Sequence, residues 1–148
     1  MSDKLIMLVE DNPDDVMLCK QALKNNRAQQ QFLVARDGVE AIDFLTGKTA
    51  LEGVLNTHMP DLVFLDLKLP KMDGLEVLRR LRADDRTRSL IVIVLSCSTE
   101  EKDVQESFRR GANSYLRKPV DFLEFSNLLR ETLHYWLDMN IQPVWGNH

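Results

Sequence analysis

The sequence predicts an α/β fold in which five parallel strands form one doubly wound sheet of order 2-1-3-4-5. Two observations lead to this prediction. Five short, mostly apolar segments lack the polar alternation of half-exposed strands, as expected for strands buried on both faces. Each is followed by a segment that has a helix-start signal and an apolar stripe. Strand and helix therefore alternate five times, and right-handed crossovers make such strands parallel.

The strand segments are best illustrated by Leu62–Leu65, where four apolar residues run without interruption up to Asp66. Pro70 and the Asp73-Gly74 pair then turn the chain, so Asp66 is expected to open onto a loop. The five predicted strands are Lys4–Val9, Phe32–Ala35, Leu62–Leu65, Leu90–Leu95 and Ser114–Arg117.

Each predicted helix has a recognisable start. The first has a capping Asn, Pro at the first helical position and acids in the first turn. The other four have the form of a capping box, in which Asp or Ser is followed three residues later by Glu. These starts are Asn12-Pro13-Asp14-Asp15, Asp37–Glu40, Asp73–Glu76, Ser98–Glu101 and Asp121–Glu124.

Apolar stripes predict the buried side of each helix. Val104 and Phe108 are expected to point inward from the fourth helix. Gly47 is expected to end the second helix, and residues 48–60 to form a loop with room for one extra helical turn. The other residues expected to face the core are Val16, Cys19, Leu23, Leu75, Leu78, Leu81, Phe125, Leu128, Leu129 and Trp136.

Length and composition exclude several classes of protein. A chain of 148 residues suits one domain with a sizeable core, and a formal net charge of −4 disfavours nucleic-acid binding. No apolar run approaches the about 18 residues of a membrane span, and the N-terminus is not a signal peptide. Cys19 and Cys97 lack metal-ligand spacing, which favours reduced thiols and a cytoplasmic protein.

Polar side chains follow four of the five predicted strands. In a doubly wound sheet, ligands bind at the carboxyl edge where the strand order reverses. Because the first and third strands are neighbours in the predicted order, Asp11 and Asp66 are expected to share one pocket. Taken singly, Asp66 could be a loop-capping carboxylate, Ser96 a strand-end hydroxyl and Lys118 a solvated cation. The converging residues are Glu10, Asp11, Asp66, Ser96 and Lys118.

Such a cluster has a definite chemistry. Three neighbouring carboxylates repel one another unless a cation joins them, and few protein ligands with several waters is the magnesium type of site. Lys118 adds a fixed positive charge, and Ser96 adds a hydroxyl donor. Phosphoryl transfer requires neutralisation of charge on the equatorial oxygens. The sequence therefore predicts that Asp66 attacks phosphorus to give an aspartyl phosphate.

These pieces, together and in this order, resemble the receiver domain of a two-component response regulator over residues 4–137. The resemblance implies a flavodoxin-like (βα)5 fold, with residues 1–137 as the receiver domain and 138–148 as a C-terminal tail. The matching pieces are Glu10-Asp11, Leu65–Gly74 with Asp66 inside it, Leu95-Ser96 and Tyr115–Pro119.

The resemblance also implies a role for each site residue. Asp66 would accept a phosphoryl group from a sensor histidine kinase. Asp11 and Asp66 would bind Mg²⁺ directly, for which Mn²⁺ can substitute. Glu10 would act through water, and the main-chain carbonyl of Lys68 would complete the protein ligands.

Further roles concern the switch. Lys118 would pair with the phosphoryl group, Ser96 would move to hydrogen-bond it, and the rotamer of Tyr115 would follow Ser96. The alternative for Tyr115 is a core aromatic with its hydroxyl at the surface. The resemblance implies a cis bond before Pro119. Cys97 stands where the family usually has Ala or another small residue, which could make phosphorylation sensitive to oxidation.

The flanking segments resemble single-domain regulators that serve bacterial phytochrome-type kinases. That resemblance rests on the C-terminal tail, taken together with the first helix start, Val120–Phe122 and Tyr135–Leu137. Such regulators tend to form homodimers through the fourth helix, fifth strand and fifth helix, and the tail with Ile141, Val144 and Trp145 is expected to dock there. The predicted dimer face comprises Tyr115, Phe122, Phe125 and Trp145.

Three functions compete at this stage. The favoured one is a phosphorylation-switched protein, not an enzyme beyond slow autodephosphorylation, with no output domain and no direct contact with nucleic acid or membrane. A phosphatase with an Asp nucleophile would be expected to place a second Asp where Lys68 stands. The third is a degenerate receiver that acts only by dimerisation, and a phosphorelay intermediate remains open. His58, His134 and His148 are scattered and offer no phosphohistidine context.

Overall fold

A computed structural model describes residues 4–24 and 30–143 of the chain. Five parallel strands form one sheet of order β2-β1-β3-β4-β5, which confirms the predicted topology. The elements are β1 (Lys4–Val9), α1 (Pro13–Lys24), β2 (Gln30–Ala35), α2 (Gly38–Leu45), β3 (Leu62–Leu65), α3 (Gly74–Ala83), β4 (Val92–Ser96), α4 (Glu101–Arg109), β5 (Ser114–Arg117), α5 (Phe122–Leu133) and a π-helical segment, His134–Met139.

Helices cover both faces of the sheet because successive residues of each strand point to opposite sides. In β1, Met7 and Val9 pack with the residues of α2 and α3, whereas Ile6 and Leu8 pack with those of α1 and α5. All four are buried. This two-sided burial explains why the strand segments are continuously apolar and do not alternate.

The predicted caps of α2, α3 and α5 are confirmed. Asp37, Asp73 and Asp121 each accept a hydrogen bond from the backbone N–H three residues later, at 2.7, 3.0 and 3.0 Å. The side chain of Asn12 accepts from the backbone N–H of Asp14 at 2.9 Å, which starts α1 as predicted. These local bonds fix where four helices begin, and so where the loops at the carboxyl edge of the sheet lie.

The predictions for α4 are wrong in two respects. Ser98 does not cap the helix, because its hydroxyl accepts from the backbone N–H of Glu100 at 3.3 Å, before the helix begins at Glu101, and donates to the Asp103 carboxylate at 2.5 Å. Phe108 is 49% exposed and Val104 is half-buried. Ser107 takes the inward position, since its hydroxyl is satisfied inside the helix by the Asp103 carbonyl at 2.8 Å.

Other differences are smaller. β4 begins at Val92 and not at Leu90, and Leu75 is half-buried. Residues 48–60 hold an isolated antiparallel bridge between Leu51 and Val54 and no helical turn.

The helical path continues to Met139, past the position where the tail was predicted to begin. Val144 and Trp145 lie outside the described residues. Among the helices that the structure describes, none combines the length and the hydropathy that crossing a membrane requires.

Arg82 ties together the amino ends of β4 and β5. Its guanidinium donates to the main-chain carbonyls of Arg88, Leu90 and Gly111 and to the side-chain oxygen of Asn113, at 2.8–3.0 Å. Burial lowers the pKa of this side chain, and no carboxylate is among these partners. The opposite, carboxyl edge of the sheet is built differently.

Candidate functional site

A cleft opens at the carboxyl edge of the sheet, where β1, β3, β4 and β5 end. The strand order places β1 beside β3, so the residues that follow these two strands become neighbours. The prediction that the polar strand ends converge is thereby confirmed. The residues that line the cleft are Glu10, Asp11, Asn12, Pro13, Asp14, Asp15, Asp66, Lys68, Ser96, Cys97, Ser98 and Lys118.

Three carboxylates meet in the floor of this cleft. Oxygens of Glu10, Asp11 and Asp66 all lie within 4.8 Å of one another. Glu10 is 1% exposed and Asp66 9%, whereas Asp11 is open to solvent. Burial, aided by the negative charge of Asp66, raises the pKa of Glu10 to about 7 although Lys118 opposes the shift. A set of three hard oxygen donors that repel one another fits a hard divalent cation.

Lys118 provides the positive charge of the cleft. Its ammonium donates to Glu10, donates to Asp15 Oδ2 at 2.9 Å and lies 3.5 Å from Asp66 Oδ2. Burial acts against the charged form, but the hydrogen bond to Glu10 and the charge of Asp66 outweigh it, so the pKa of Lys118 is raised. Lys118 is therefore fully protonated, and its three N–H donors face three carboxylates.

Asp15 is the site residue that sequence reasoning missed. It was interpreted only as a first-turn acid of α1, yet its carboxylate reaches Lys118 across 103 positions of sequence. A signal was present, because Asp15 lies only four residues after Asp11, in the first turn of the helix that follows it. The partner at the other end of the chain could not be inferred from that spacing.

Gly74 allows the loop after β3 to fold tightly. Its N–H donates to the Leu67 carbonyl at 2.8 Å. A Cβ at this position would lie 2.4 Å from the Asp66 carbonyl oxygen and 2.7 Å from Leu67 Cα. The Asp73-Gly74 pair therefore does more than turn the chain, since the missing side chain lets α3 begin directly against the backbone of Asp66.

A second group of hydrogen bonds leads away from the cleft along β4. The Ser96 hydroxyl, which is buried, accepts from the Ser98 backbone N–H at 3.2 Å. The Tyr115 hydroxyl donates to the Ser98 carbonyl at 2.8 Å. The ring of Tyr115 is half-buried and packs against the core. Ser96 and Tyr115 thus both contact Ser98, and the predicted coupling of their movements stays a prediction.

Other predicted residues have mixed outcomes. The prediction that Phe125 belongs to the dimer face is wrong, because its side chain is 3% exposed and packs from α5 into the core. The bond before Pro119 is trans, as are all peptide bonds between described residues, so the cis prediction is wrong. Trans is the form that X–Pro bonds favour by about 0.5–1 kcal/mol when nothing else intervenes. Phe122 is half-buried, Lys68 lines the cleft, and Trp145 lies outside the described residues.

Comparison with known proteins identifies the same architecture. The family described as the response regulator receiver domain matches residues 6–130. A probable methanogenesis regulatory protein, FilR2 of Methanothrix harundinacea, is 36% identical over 139 residues, which are 94% of this chain and 87% of that protein. Response regulator Rcp1 of Synechocystis is 33% identical over 141 residues, 95% of this chain and 94% of Rcp1.

Solved structures agree with this result. The phosphorylated cyanobacterial phytochrome response regulator RcpA has a TM-score of 0.88 and 34% identity, covering 97% of this chain and all of RcpA. The Mn²⁺-bound form of Rcp1 has a TM-score of 0.84 and 33% identity, covering 95% of this chain and 99% of Rcp1.

Proposed function

This chain belongs to the response regulator receiver domain family, and we propose that it is a single-domain response regulator phosphorylated on Asp66 by a sensor histidine kinase. Receiver domains bind a divalent metal and interact with such kinases. The observation that carries the proposal is the placement of Asp66 beside Glu10, Asp11 and Lys118 in one open cleft. A nucleophilic carboxylate, two further acids for a cation and a fixed ammonium are what phosphoryl transfer to an aspartate requires.

In the proposed reaction an oxygen of Asp66 attacks the phosphorus of a phosphohistidine. The O–P bond forms as the P–N bond breaks, and the electron pair of that bond stays on the histidine nitrogen. Lys118 donates N–H bonds to the transferred oxygens as negative charge collects on them. Glu10, Asp11, Asp66 and the main-chain carbonyl of Lys68 would hold a Mg²⁺ ion. When bound, that ion would neutralise the rest of the negative charge on the phosphoryl oxygens.

We place the protein outside the true hydrolases. Attack of water on the aspartyl phosphate would release phosphate and restore the carboxylate. That step needs a general acid or base close to Asp66 to be fast. Lys68 occupies the position two residues after the nucleophile, where a catalytic Asp would stand. Slow autodephosphorylation is the expected result.

The switch is proposed to run from Ser96 to Tyr115. A phosphoryl group on Asp66 offers acceptors to the Ser96 hydroxyl, which now accepts from the Ser98 N–H. Movement of Ser96 would disturb the segment that also holds the Tyr115 hydroxyl. The surface around Tyr115 and α4 would then differ between the two forms of the protein.

For partners, we propose a phytochrome-type kinase and a second copy of this chain. Rcp1 and RcpA support the former, because RcpA is described as a phytochrome response regulator. Exposed Phe108 and half-buried Val104 on α4, next to edge strand β5, support a dimer face at α4–β5–α5. Phe108→Glu should lower the sedimentation coefficient, and the equally drastic Leu55→Glu, on the remote α2–β3 loop, should not.

The decisive experiment is intact mass after treatment with acetyl phosphate, with and without Mg²⁺. The wild type should gain one phosphoryl group only when Mg²⁺ is present, and Asp66→Asn should gain none. Asp85→Asn, which removes a carboxylate from the α3–β4 loop outside the cleft, should behave as the wild type. A gain that persists in Asp66→Asn would overturn the assignment of the nucleophile.

The dimerisation-only alternative makes the opposite prediction. A degenerate receiver would gain no phosphoryl group from acetyl phosphate or from any kinase, and it would dimerise regardless of Mg²⁺.

Free thiols at Cys19 and Cys97 are consistent with the cytoplasmic location that we propose for this protein.

A further inference from the structure

Asp15 contacts Lys118 in the cleft but has no part in the proposed reaction. We infer that Asp15 is a positioning residue that holds the Lys118 ammonium back from Asp66 and so weakens the binding of a phosphoryl group there. The inference rests on the proposed function, because it concerns the lysine that would meet that group. Asp15 itself would touch neither the phosphorus nor the cation.

The contacts of Lys118 show the restraint. Asp15 Oδ2 lies 2.9 Å from the ammonium nitrogen and Asp66 Oδ2 lies 3.5 Å from it. The first distance is that of a charge-assisted hydrogen bond, whereas the second is a looser ion pair. Lys118 is therefore held by Glu10 and Asp15, and Asp66 is its most distant acidic partner.

Asp15 cannot easily follow Lys118 if the ammonium moves. Its backbone N–H donates to the Asn12 side chain at 3.3 Å, in the capped first turn of α1. The next residue, Val16, is buried in the core, as is Cys19 one turn later. The Asp15 side chain is 27% exposed at the rim, and Lys118, 7% exposed, lies beneath it. A shift of Lys118 toward Asp66 would lengthen the bond to Asp15.

Competition for the same donors follows from this geometry. Lys118 has three N–H donors, and three carboxylates already face them. The oxygens of a phosphoryl group on Asp66 would need at least one of these donors. Asp15 also adds a negative charge to a cleft that must admit another anion. Both effects make the group bind more weakly than it would without Asp15.

The test uses beryllofluoride, a stable mimic of a phosphoryl group on a carboxylate, titrated into the full chain at fixed Mg²⁺. Asp15→Asn should bind it about fivefold more tightly, because a charged acceptor is replaced by a weaker neutral one. Asp15→Glu, which keeps the charge, should return the affinity to within about twofold of the wild type.

Asp14→Asn is the matched control. Asp14 stands in the same first turn and lines the same cleft, but its carboxylate is not one of the three that contact Lys118. Although Asp14→Asn removes the same charge, it should change the affinity of the protein for beryllofluoride by less than about twofold, because the Asp14 carboxylate is solvent-exposed. If only the total negative charge at the rim of the cleft mattered, Asp14→Asn and Asp15→Asn would change the affinity for beryllofluoride equally.

The outcomes separate the two hypotheses. Tighter binding in Asp15→Asn, with no change in Asp14→Asn, supports the positioning role. Equal or weaker binding in Asp15→Asn, in a wild type that does bind beryllofluoride, overturns this inference alone. A wild type that binds no beryllofluoride overturns the proposed function, and the inference with it.

Discussion

Two cations lie at opposite edges of this sheet, and their surroundings differ in kind. Lys118, at the carboxyl edge, is held by carboxylates, whereas Arg82, at the amino edge, is held by neutral carbonyl and amide oxygens. The partners are Glu10, Asp15 and Asp66 for Lys118, and Arg88, Leu90, Gly111 and Asn113 for Arg82.

The two cations therefore differ in how their surroundings hold them and balance their charge. Three of the four acceptors of Arg82 are main-chain carbonyls, whose positions the strands and loops fix, so this contact holds the chain in one arrangement. The carboxylates around Lys118 outnumber it and leave the cleft negative, so a further cation is attracted there. At the amino edge the guanidinium donors of Arg82 all have acceptors, whereas at the carboxyl edge Lys118 cannot balance the charge of three carboxylates.

The largest expected effect comes from removing each cation in turn. Arg82→Ala and Lys118→Ala should each lower the free energy of unfolding by about 3 kcal/mol in chelator, because the first removes several hydrogen bonds to exposed and part-buried oxygens and the second leaves the buried Glu10 carboxylate without its partner. Mg²⁺ should then stabilise Arg82→Ala only as much as the wild type. It should stabilise Lys118→Ala by about 1 kcal/mol more, because the added cation replaces the lost charge.

Urea unfolding with chelator or with Mg²⁺ measures both quantities. Arg79→Ala is the control for α3, because Arg79 is exposed and pairs only with Glu76 on the surface in the described structure; its loss should cost less than about 0.5 kcal/mol. The distinction between the two edges fails if Mg²⁺ stabilises Arg82→Ala and Lys118→Ala equally.

Gly74→Ala should disturb the backbone at the carboxyl edge of the sheet and leave the amino edge, with Arg82, unchanged. The new methyl group would meet the Asp66 carbonyl at 2.4 Å, so overpacking should cost about 2 kcal/mol and weaken Mg²⁺ binding. Gly47→Ala, at a positive φ of 80° with open space around it, should cost about 1 kcal/mol and leave Mg²⁺ affinity unchanged. Unchanged Mg²⁺ affinity in Gly74→Ala would contradict this account.

Tyr115→Phe removes one hydrogen bond beside the functional edge. Loss of the bond to the Ser98 carbonyl should lower the free energy of unfolding by about 1 kcal/mol. Tyr135→Phe, on an exposed ring that meets Trp136 edge-on, should change it by less than about 0.5 kcal/mol. Equal effects in denaturant titrations would show that the Tyr115 hydroxyl has no structural role.

The smallest expected effect concerns the chemical reactivity of the two cysteine thiols. Iodoacetamide should modify Cys97 in the native protein, because Cys97 is exposed at the cleft. Cys19 should react only after unfolding, since it is buried and burial raises the pKa of its thiol to about 12. Peptide mass spectrometry locates the label, and Cys97→Ala is the control. Rapid native labelling of Cys19 would mean that the interface between α1 and α5 opens easily.

The parts of the fold that the sequence predicts correctly are those that depend on residues close together in the chain. The apolar strands and the caps at Asp37, Asp73 and Asp121 depend on residues a few positions apart, and they are confirmed. Ser98 has the same capping pattern, but its hydroxyl accepts from the backbone N–H of Glu100, which precedes the helix, and donates to the Asp103 carboxylate. A pattern of residue types does not reveal which backbone N–H such a hydroxyl reaches.

The candidate site divides in the same way. Strand ends could be assigned to one edge from topology alone, which brought Glu10, Asp11, Asp66 and Lys118 together in advance. The contact between Asp15 and Lys118 could not be foreseen, because it depends on where packing places the first turn of α1 relative to the residue that follows β5. Directions of helices relative to the sheet follow from packing in three dimensions, which one-dimensional spacing does not encode.

The light packing of α4 has an evolutionary consequence. Ser107 is its one buried side chain, and its exposed residues contribute little to the free energy of folding. Substitutions on this helix can therefore accumulate without loss of the domain, whereas those in β1 or β3 cannot. New binding specificities can evolve on α4 while the cluster of carboxylates and Lys118 at the carboxyl edge of the sheet stays as it is.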